Sequence, residues 1–324
     1  MKNLRSYSTI LVLFALCFAT SLHAKNRKNK PPSRKQPASN NTQVVKPVRD
    51  RRSSAPFITG DGFRNACDFI IEEDNAPFNP KNVKYGDKVF VKTDFLPHFL
   101  QHYHPRIPVP YVLVTHNSDH RIPGPYAGYL NDEKILGWFG QNVEEVAHPK
   151  LHPIPIGLEN RYNKNGDPEI LKQCIEKFQN SERTNLLYMN FSPHTAVERV
   201  YVYKLFEKAP FCKASAGIPY ADYLQDLATT QFTLSPRGNG LDCHRTWEAL
   251  YFGSIPIVRT SVSDSMYEGL PVVIIQDWSE VTEAFLEKEY QKIRAQPHPS
   301  NRLYLDYWLQ QIEKARNLGD RENQ

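Results

Sequence analysis

Residues 231–258, QFTLSPRGNGLDCHRTWEALYFGSIPIV, decide how the rest of the chain is read. The spacing predicts a buried strand over 231–235, a turn at Pro236-Arg237-Gly238-Asn239-Gly240 and a helix over 242–252. Trp247, Leu250 and Tyr251 take the buried face of that helix. Gly253 ends it, and 255–258 enters the next strand. A glycine-rich turn feeding a helix brings free amides and the positive end of the helix dipole together, which suits a phosphate. Gly238 and Gly240 can adopt backbone angles that bring amides close to an anion. Arg237 in the turn and Arg245 in the first helical turns can each fork onto phosphate oxygens. Glu248, three residues after Arg245, shares its face. The same residues also fit an ordinary βαβ unit in which Asp242 caps the helix and Arg245 pairs with Glu248 at the surface. Neither GxxxxGK[ST] nor GxGxxG occurs here, which argues against ATPase and dehydrogenase readings.

Outward from this unit the pattern repeats. Strands are expected at 185–191, 211–214 and 272–276, with helices at 196–208, 220–229, 279–289 and 303–316. In the helix at 196–208, Val197, Val200, Tyr201, Lys204 and Leu205 fall at helical spacing. Repeated strand–helix–strand order demands right-handed crossovers and a parallel sheet, with ligands outside the carboxyl ends of its strands. In the first half, strands are expected at 88–92, 111–115 and 135–139, separated by proline-rich loops. The stretch 152–158, HPIPIGL, is held extended by its prolines and reads as the crossing between halves. The fold class is therefore α/β, with a Rossmann-like second half.

Composition places these domains. The 324 residues suit two domains of ordinary size, and 40% hydrophobic with 12% aromatic residues can build cores. The formal charge of +5 is concentrated at the start: 12 of the 40 Lys and Arg but one acid, Asp50, lie in 1–56. That leaves 28 basic and 34 acidic residues in 57–324, an acidic body that argues against a nucleic-acid partner. Lys2 and Arg5 followed by the apolar run 10–22 read as a signal peptide or signal anchor over 1–24, short for a membrane span. Export, to a secretory-pathway lumen or a cell envelope, and membrane attachment through 1–24 follow from that reading. Residues 25–56 are basic and poor in aliphatics, the composition of a disordered linker. The body divides into 57–158, 159–300 and a final helical segment, 301–324, expected to pack back on the first domain or cap the second sheet. Four cysteines follow the signal, at 67, 174, 212 and 243, without a CxxC; neither a disulfide pairing nor a zinc site can be read from them.

The stretch 185–290 resembles the C-terminal signature of exostosin-like glycosyltransferases. It carries Phe232-x-Leu234-x-Pro236-x-Gly238, Arg245, Glu248-Ala249 and Gly253-Ser254-Ile255-Pro256, followed by Leu270-Pro271-Val272-Val273 and Asp277-Trp278. The resemblance implies two facing Rossmann-like domains of the GT-B type. It implies an inverting, metal-independent transfer of sugar from a nucleotide-diphosphate donor, UDP-linked, to a glycan or glycoconjugate hydroxyl. Arg245 would match the arginine near the diphosphate and Glu248 the acid that holds the ribose.

Inverting transfer needs a base for the acceptor hydroxyl. The expected strand 111–115 runs into His116-Asn117-Ser118-Asp119-His120, and polar groups at a strand's carboxyl end suggest a site. His116 and Asp119 are candidate bases, and Asp94 after the strand 88–92 is another. On the donor side, Arg237, Gly238, Gly240, Arg245, Glu248 and Ser192, in the loop after strand 185–191, are the candidate nucleotide-sugar residues. Two other readings use the same residues: a catalytically silent glycan-binding domain of this fold, and a metal-dependent hydrolase on His116, Asp119 and His120.

Overall fold

The computed structural model describes residues 49–73, 77–144 and 147–322. The signal at 1–24 and residues 25–48 of the linker lie outside the described residues. The linker's last residues are held by the body. Arg51 pairs with Asp61 at 3.3 Å and also with Glu72, while the Ser53 and Pro56 carbonyls accept from Arg161 Nε and the Leu305 amide. The disorder expected up to residue 56 therefore does not reach 51–56, because these residues find partners on the body.

The chain is α/β, with two parallel five-stranded sheets. The first comprises β1 (Phe69–Ile71), β2 (Lys88–Lys92), β3 (Tyr111–His116), β4 (Ile135–Gly140) and β5 (Leu151–Pro153), paired in sequential order. The second comprises β6 (Asn185–Met189), β7 (Cys212–Ala214), β8 (Thr230–Leu234), β9 (Ile255–Arg259) and β10 (Val273–Ile275), in the order β10-β9-β8-β6-β7. The helices are α1 (Gly60–Asn65), α2 (Leu96–His98), α3 (Pro168–Phe178), α4 (Val197–Phe206), α5 (Tyr220–Ala228), α6 (His244–Tyr251), α7 (Glu283–Arg294) and α8 (Leu305–Glu322). No helix among the described residues is long and apolar enough to cross a membrane.

Sequential order has a consequence for the first sheet. Right-handed crossovers between successive parallel neighbours all fall on one face. Alternation along the strands gives that face Val89, Val91, Tyr111, Leu113 and Trp138, packed under the loop segments with Leu96, Phe99 and Leu130. The opposite face presents Phe90, Val112, Val114 and Phe139, and these must be covered from elsewhere. Phe63 of α1 and Leu305, Trp308, Ile312 and Ala315 of α8 cover them. Helix α8 thus returns from the end of the chain to β3 and β4. Its Trp308 also meets Trp247 of α6 edge-on, ring centroids 6.4 Å apart, so one core joins the two sheets.

The second sheet reverses direction between β6 and β8, its topological switch point. Rossmann-type sheets bind ligands outside the carboxyl ends of the strands at such a point. The loops that leave there are 190–196 after β6 and 235–243 after β8.

Strand β1 and helices α1, α2 and α3 were not expected from the sequence, and β5 and α4 differ from expectation. Strand β5 forms where only an extended crossing was read, because 151–153 pairs with Trp138, Phe139 and Gly140. In α4 the stripe of Val197, Val200, Tyr201, Lys204 and Leu205 faces solvent, with Val197 90% exposed. The buried residues are Arg199, Val202 and Phe206, at helical spacing on the other side. The larger apolar count pointed the wrong way because the buried stripe includes an arginine.

Candidate functional site

Helix α6 is built as expected around Trp247 and Leu250, buried at 0% and 4% exposure, and Gly253 closes it with φ +67°. Its start is built differently. Asp242 lies one residue before the cap position, fully enclosed by four donors. Its Oδ2 accepts from the Ile156 amide and the Trp247 indole, each at 2.8 Å; its Oδ1 accepts from the Cys243 amide at 2.8 Å and the Tyr267 hydroxyl at 3.3 Å. Asp242 therefore fastens the turn to the crossing segment. Asn142, at φ +58° after β4, reaches over from the first sheet, and its Oδ1 accepts from the amides of Leu241 and Asp242 at 2.9 and 3.3 Å.

These bonds correct the picture of a turn full of free amides. Those of Leu241, Asp242 and Cys243 are taken, and Gly238 donates to the Gly240 carbonyl at 3.1 Å. The glycines are required for space. A Cβ on Gly238 would lie 2.9 Å from Arg199 Nη2, and one on Gly240 would lie 2.7 Å from Asn142 Nδ2. Neither has a positive φ.

Charge for an anion comes instead from two buried guanidinium groups. Arg245 is 9% exposed; its Nε donates to the Asn190 carbonyl at 2.8 Å, and its Nη1 is buried with no hydrogen-bond partner among the described residues. Arg199, 8% exposed, donates to the carbonyls of Arg237 at 3.0 Å and Ser192 at 3.3 Å. Both guanidiniums lie over the Phe191 ring, 5.2 and 5.5 Å from its centroid. Burial and the charge of Arg245 lower the Arg199 pKa. Among the described residues neither arginine forms an ion pair with a carboxylate. A buried cation without a counter-ion is costly, and an orphaned guanidinium N–H in a cavity wall fits an anionic ligand.

Glu248 is not the partner of Arg245. Its two oxygens accept from Tyr220 and Tyr223 of α5 at 2.9 and 2.8 Å. Burial, then the charge of Glu248, raises both phenol pKa values, so they remain donors. Each carboxylate oxygen keeps a second lone pair for a ligand hydroxyl.

Arg199, Arg245, Glu248, Gly238 and Gly240 line one cavity of about 860 Å³, at the switch point of the second sheet. Asp119 and Ile156 enter the same cavity from the first sheet and the crossing segment. Asp119, exposed at the end of the loop after β3, accepts from Asn239 Nδ2 at 3.2 Å, directly across from the glycine-rich turn. A second cavity of about 230 Å³ adjoins it, lined among others by His116, Asn117, Asn160 and Tyr162. Asp119, Ile156 and His244 line both.

The other candidates fall elsewhere. His116 is 1% exposed, with both ring nitrogens in use: Nε2 donates to the Pro155 carbonyl at 3.0 Å and Nδ1 accepts from the Asn117 amide at 2.7 Å. Burial pulls its pKa down to about 4. It is a neutral structural ring with no free lone pair for a substrate proton. Asp94 is exposed between Lys92 and His120, each at 3.7 Å, and does not line either cavity. Arg237 does not line the 860 Å³ cavity; it lines neighbouring spaces together with Glu198. Ser192 contributes its carbonyl to Arg199 while Thr195, from the same loop, lines the 860 Å³ cavity. His116, Asp119 and His120 have separate partners, and no group of three His, Cys, Asp or Glu among the described residues is arranged to hold a metal.

Residues 174–317 match the family described as RXYLT1 C-terminal domain. A curated relative, ribitol-5-phosphate xylosyltransferase 1 from Danio rerio, is 24% identical over 174 residues, half of this chain and 38% of that protein. The chain thus spans well under half the length of the relative it matches. These similarities support a glycosyltransferase family; they do not name the exostosin-like group. Similar solved structures include a UDP-forming trehalose-phosphate synthase from Burkholderia xenovorans, TM-score 0.43, 11% identical, covering 72% of this chain and 74% of that one. An α1,3-fucosyltransferase has TM-score 0.38 and 11% identity, covering 67% and 71%. At these scores the fold description rests on the two sheets themselves.

Sequence reasoning missed Arg199, Asn142 and His244. Arg199 carried a signal in hindsight: a lone arginine in register with Val202 and Phe206. Asn142 gave none, since its role depends on a contact 99 residues along the chain.

Proposed function

We propose that this chain transfers a sugar from a nucleotide-diphosphate donor, UDP-linked, to a hydroxyl of a glycan or glycoconjugate, with inversion. The observation that carries this reading is the buried, carboxylate-free pair Arg199 and Arg245, with the orphaned Nη1 of Arg245, at the switch point of a parallel sheet. In this reading the diphosphate lies against the two guanidiniums and the first turn of α6, whose His244 and Arg245 amides have no carbonyl within the helix. Glu248, held by Tyr220 and Tyr223, accepts from the ribose hydroxyls. The sugar then lies beside Asp119 and His244, and the acceptor enters through the smaller cavity. Residues 57–158 form the acceptor side and 159–300 the donor side, and the two close on the donor because its site draws on both.

As the acceptor oxygen attacks the anomeric carbon, the bond to the diphosphate breaks and its electron pair moves to the leaving oxygen. The arginines stabilise that charge without a metal. Asp119 is the sequence-derived base candidate that stands where the two cavities meet. The name of the zebrafish relative suggests xylose as the sugar and a ribitol phosphate as the acceptor class. The apolar run 10–22, within the signal read over 1–24, supports action in a secretory lumen or cell envelope, with attachment to a membrane there.

The test is release of nucleoside diphosphate by the full chain from a panel of UDP-sugars including UDP-xylose, with and without ribitol 5-phosphate, in EDTA. Release with inverted product is expected. Binding of UDP without turnover of any donor would leave the silent-domain reading, and loss of turnover in EDTA restored by metal would favour the hydrolase.

A further inference from the structure

We propose that His244 is the general base that takes the acceptor proton. This rests on the donor reading above and assigns a residue within that site. His244 is the first residue of α6, next to Arg245, and lines both the donor-side cavity and the smaller one. Its Nδ1 is 2.7 Å from the Gly157 carbonyl. A carbonyl can only accept, so Nδ1 carries the proton and the lone pair of the neutral ring is on Nε2. Nε2 has no hydrogen-bond partner among the described residues. This contrasts with His116, whose two nitrogens are both in use.

The orienting carbonyl is itself fixed. Gly157 has φ +65°, and a Cβ there would lie 2.2 Å from the Ile58 carbonyl, so only glycine lets the crossing segment present its oxygen at this point. Base, orienting acceptor and open lone pair form the arrangement used by activated nucleophiles generally. The proton passes from the acceptor hydroxyl to Nε2, giving an imidazolium. The freed oxygen pair forms the bond to the anomeric carbon, and the diphosphate leaves with the electrons of the bond that breaks. The charged and titratable groups sharing the cavities with His244 are Asp119 and His116 after and at the end of β3, Glu159, Tyr162 and Lys164 after the crossing segment, Arg199 of α4, Tyr220 and Tyr223 of α5, and Asp242, Cys243, Arg245 and Glu248 on its own stretch. Asp119, which lines both cavities with His244, is the carboxylate assigned to favour the imidazolium once formed.

The test compares wild type, His244→Asn and Asp119→Asn, as full chains. The asparagine at 244 can keep a donor on the Gly157 carbonyl while removing Nε2. UDP affinity is measured by calorimetry, and UDP release from the UDP-sugar panel is followed from pH 4.5 to 9 with water as acceptor. The expected result is wild-type release that falls towards acid pH, in a limb that belongs to His244. His244→Asn should bind UDP within about twofold of wild type and lose at least about 100-fold in turnover, together with that acid limb. Asp119→Asn should lose turnover but keep the limb. An unchanged limb in His244→Asn, or a wild-type rate that holds into the carboxylate range and loses its acid limb in Asp119→Asn, overturns the assignment and leaves the donor reading intact. Absence of UDP binding in wild type overturns the donor reading, and with it this one. UDP binding without release from any donor overturns catalysis by His244 and leaves a binding domain.

Discussion

Arg245 decides between the proposed ligand site and an ordinary helix surface. A solvated Arg245–Glu248 pair would contribute a few tenths of a kcal/mol, and its loss would affect nothing else. The geometry is different: Glu248 belongs to two tyrosines, and Arg245 retains a buried, unpartnered Nη1. Arg245→Ala should therefore weaken UDP binding by about 1.5–3 kcal/mol for each charged hydrogen bond lost, while thermal unfolding shows little change. Gly240→Ala gives a complementary test. Its methyl would meet the Asn142 amide, the group that holds the turn from the first sheet. Donor affinity should fall at least about tenfold, and shortening Asn142 to alanine in the same chain should not restore it, because the amides of Leu241 and Asp242 then lose their acceptor. The sequence showed Gly238, Gly240, Arg245 and Glu248 as a group because all lie within one turn and helix. It could not show that the glycines are needed for space rather than φ, since the colliding groups, Arg199 and Asn142, come from other elements.

Elements were legible where one face dominates. Strands β2, β3 and β4 read directly from their apolar runs, and so did α6 from Trp247 and Leu250. Helix α4 did not, because its buried stripe of Arg199, Val202 and Phe206 is less apolar than its exposed side. Helix α8 had a clear apolar face, but its destination followed from topology: sequential strand order leaves one face of the first sheet uncovered. Trp308→Ala should therefore destabilise the protein by about 3–5 kcal/mol, read as a lower urea midpoint, although the residue lies far along the chain from the sheet it covers. The junction of α1 with the end of β3 makes a prediction about pH. Burial pushes the Asp61 carboxyl up to about 6 and pulls His116 down to about 4. The raised Asp61 contributes stability that is lost as pH rises towards 6, and the depressed His116 contributes stability that is lost as pH falls from about 6.5 towards 4. The two oppose one another between about pH 4 and 6. Asp61→Asn removes one, so stability of the variant should rise with pH across that window more steeply than wild type, as measured by urea midpoints at half-unit intervals.

At the scale of the whole molecule, two parallel sheets share a core through Trp247 and Trp308 and a cleft lined from both sides. Asp119 and Asn142 reach from the first half, and Asp242 is tied back to the crossing segment through the Ile156 amide. That a second set of strands follows the proline-rich crossing at 152–158 was readable from the sequence. The bonds that bind the halves were not, because each joins residues far apart in sequence. The central claim is that this cleft holds a nucleoside diphosphate through Arg245 and Arg199. Calorimetric titration of the full chain with UDP and with uridine, in wild type and Arg245→Ala, tests it most directly. UDP should bind wild type at least about tenfold more tightly than uridine, with the preference largely lost in Arg245→Ala and uridine binding little changed. Equal affinity for UDP and uridine in wild type, or a UDP preference that survives Arg245→Ala, would contradict it.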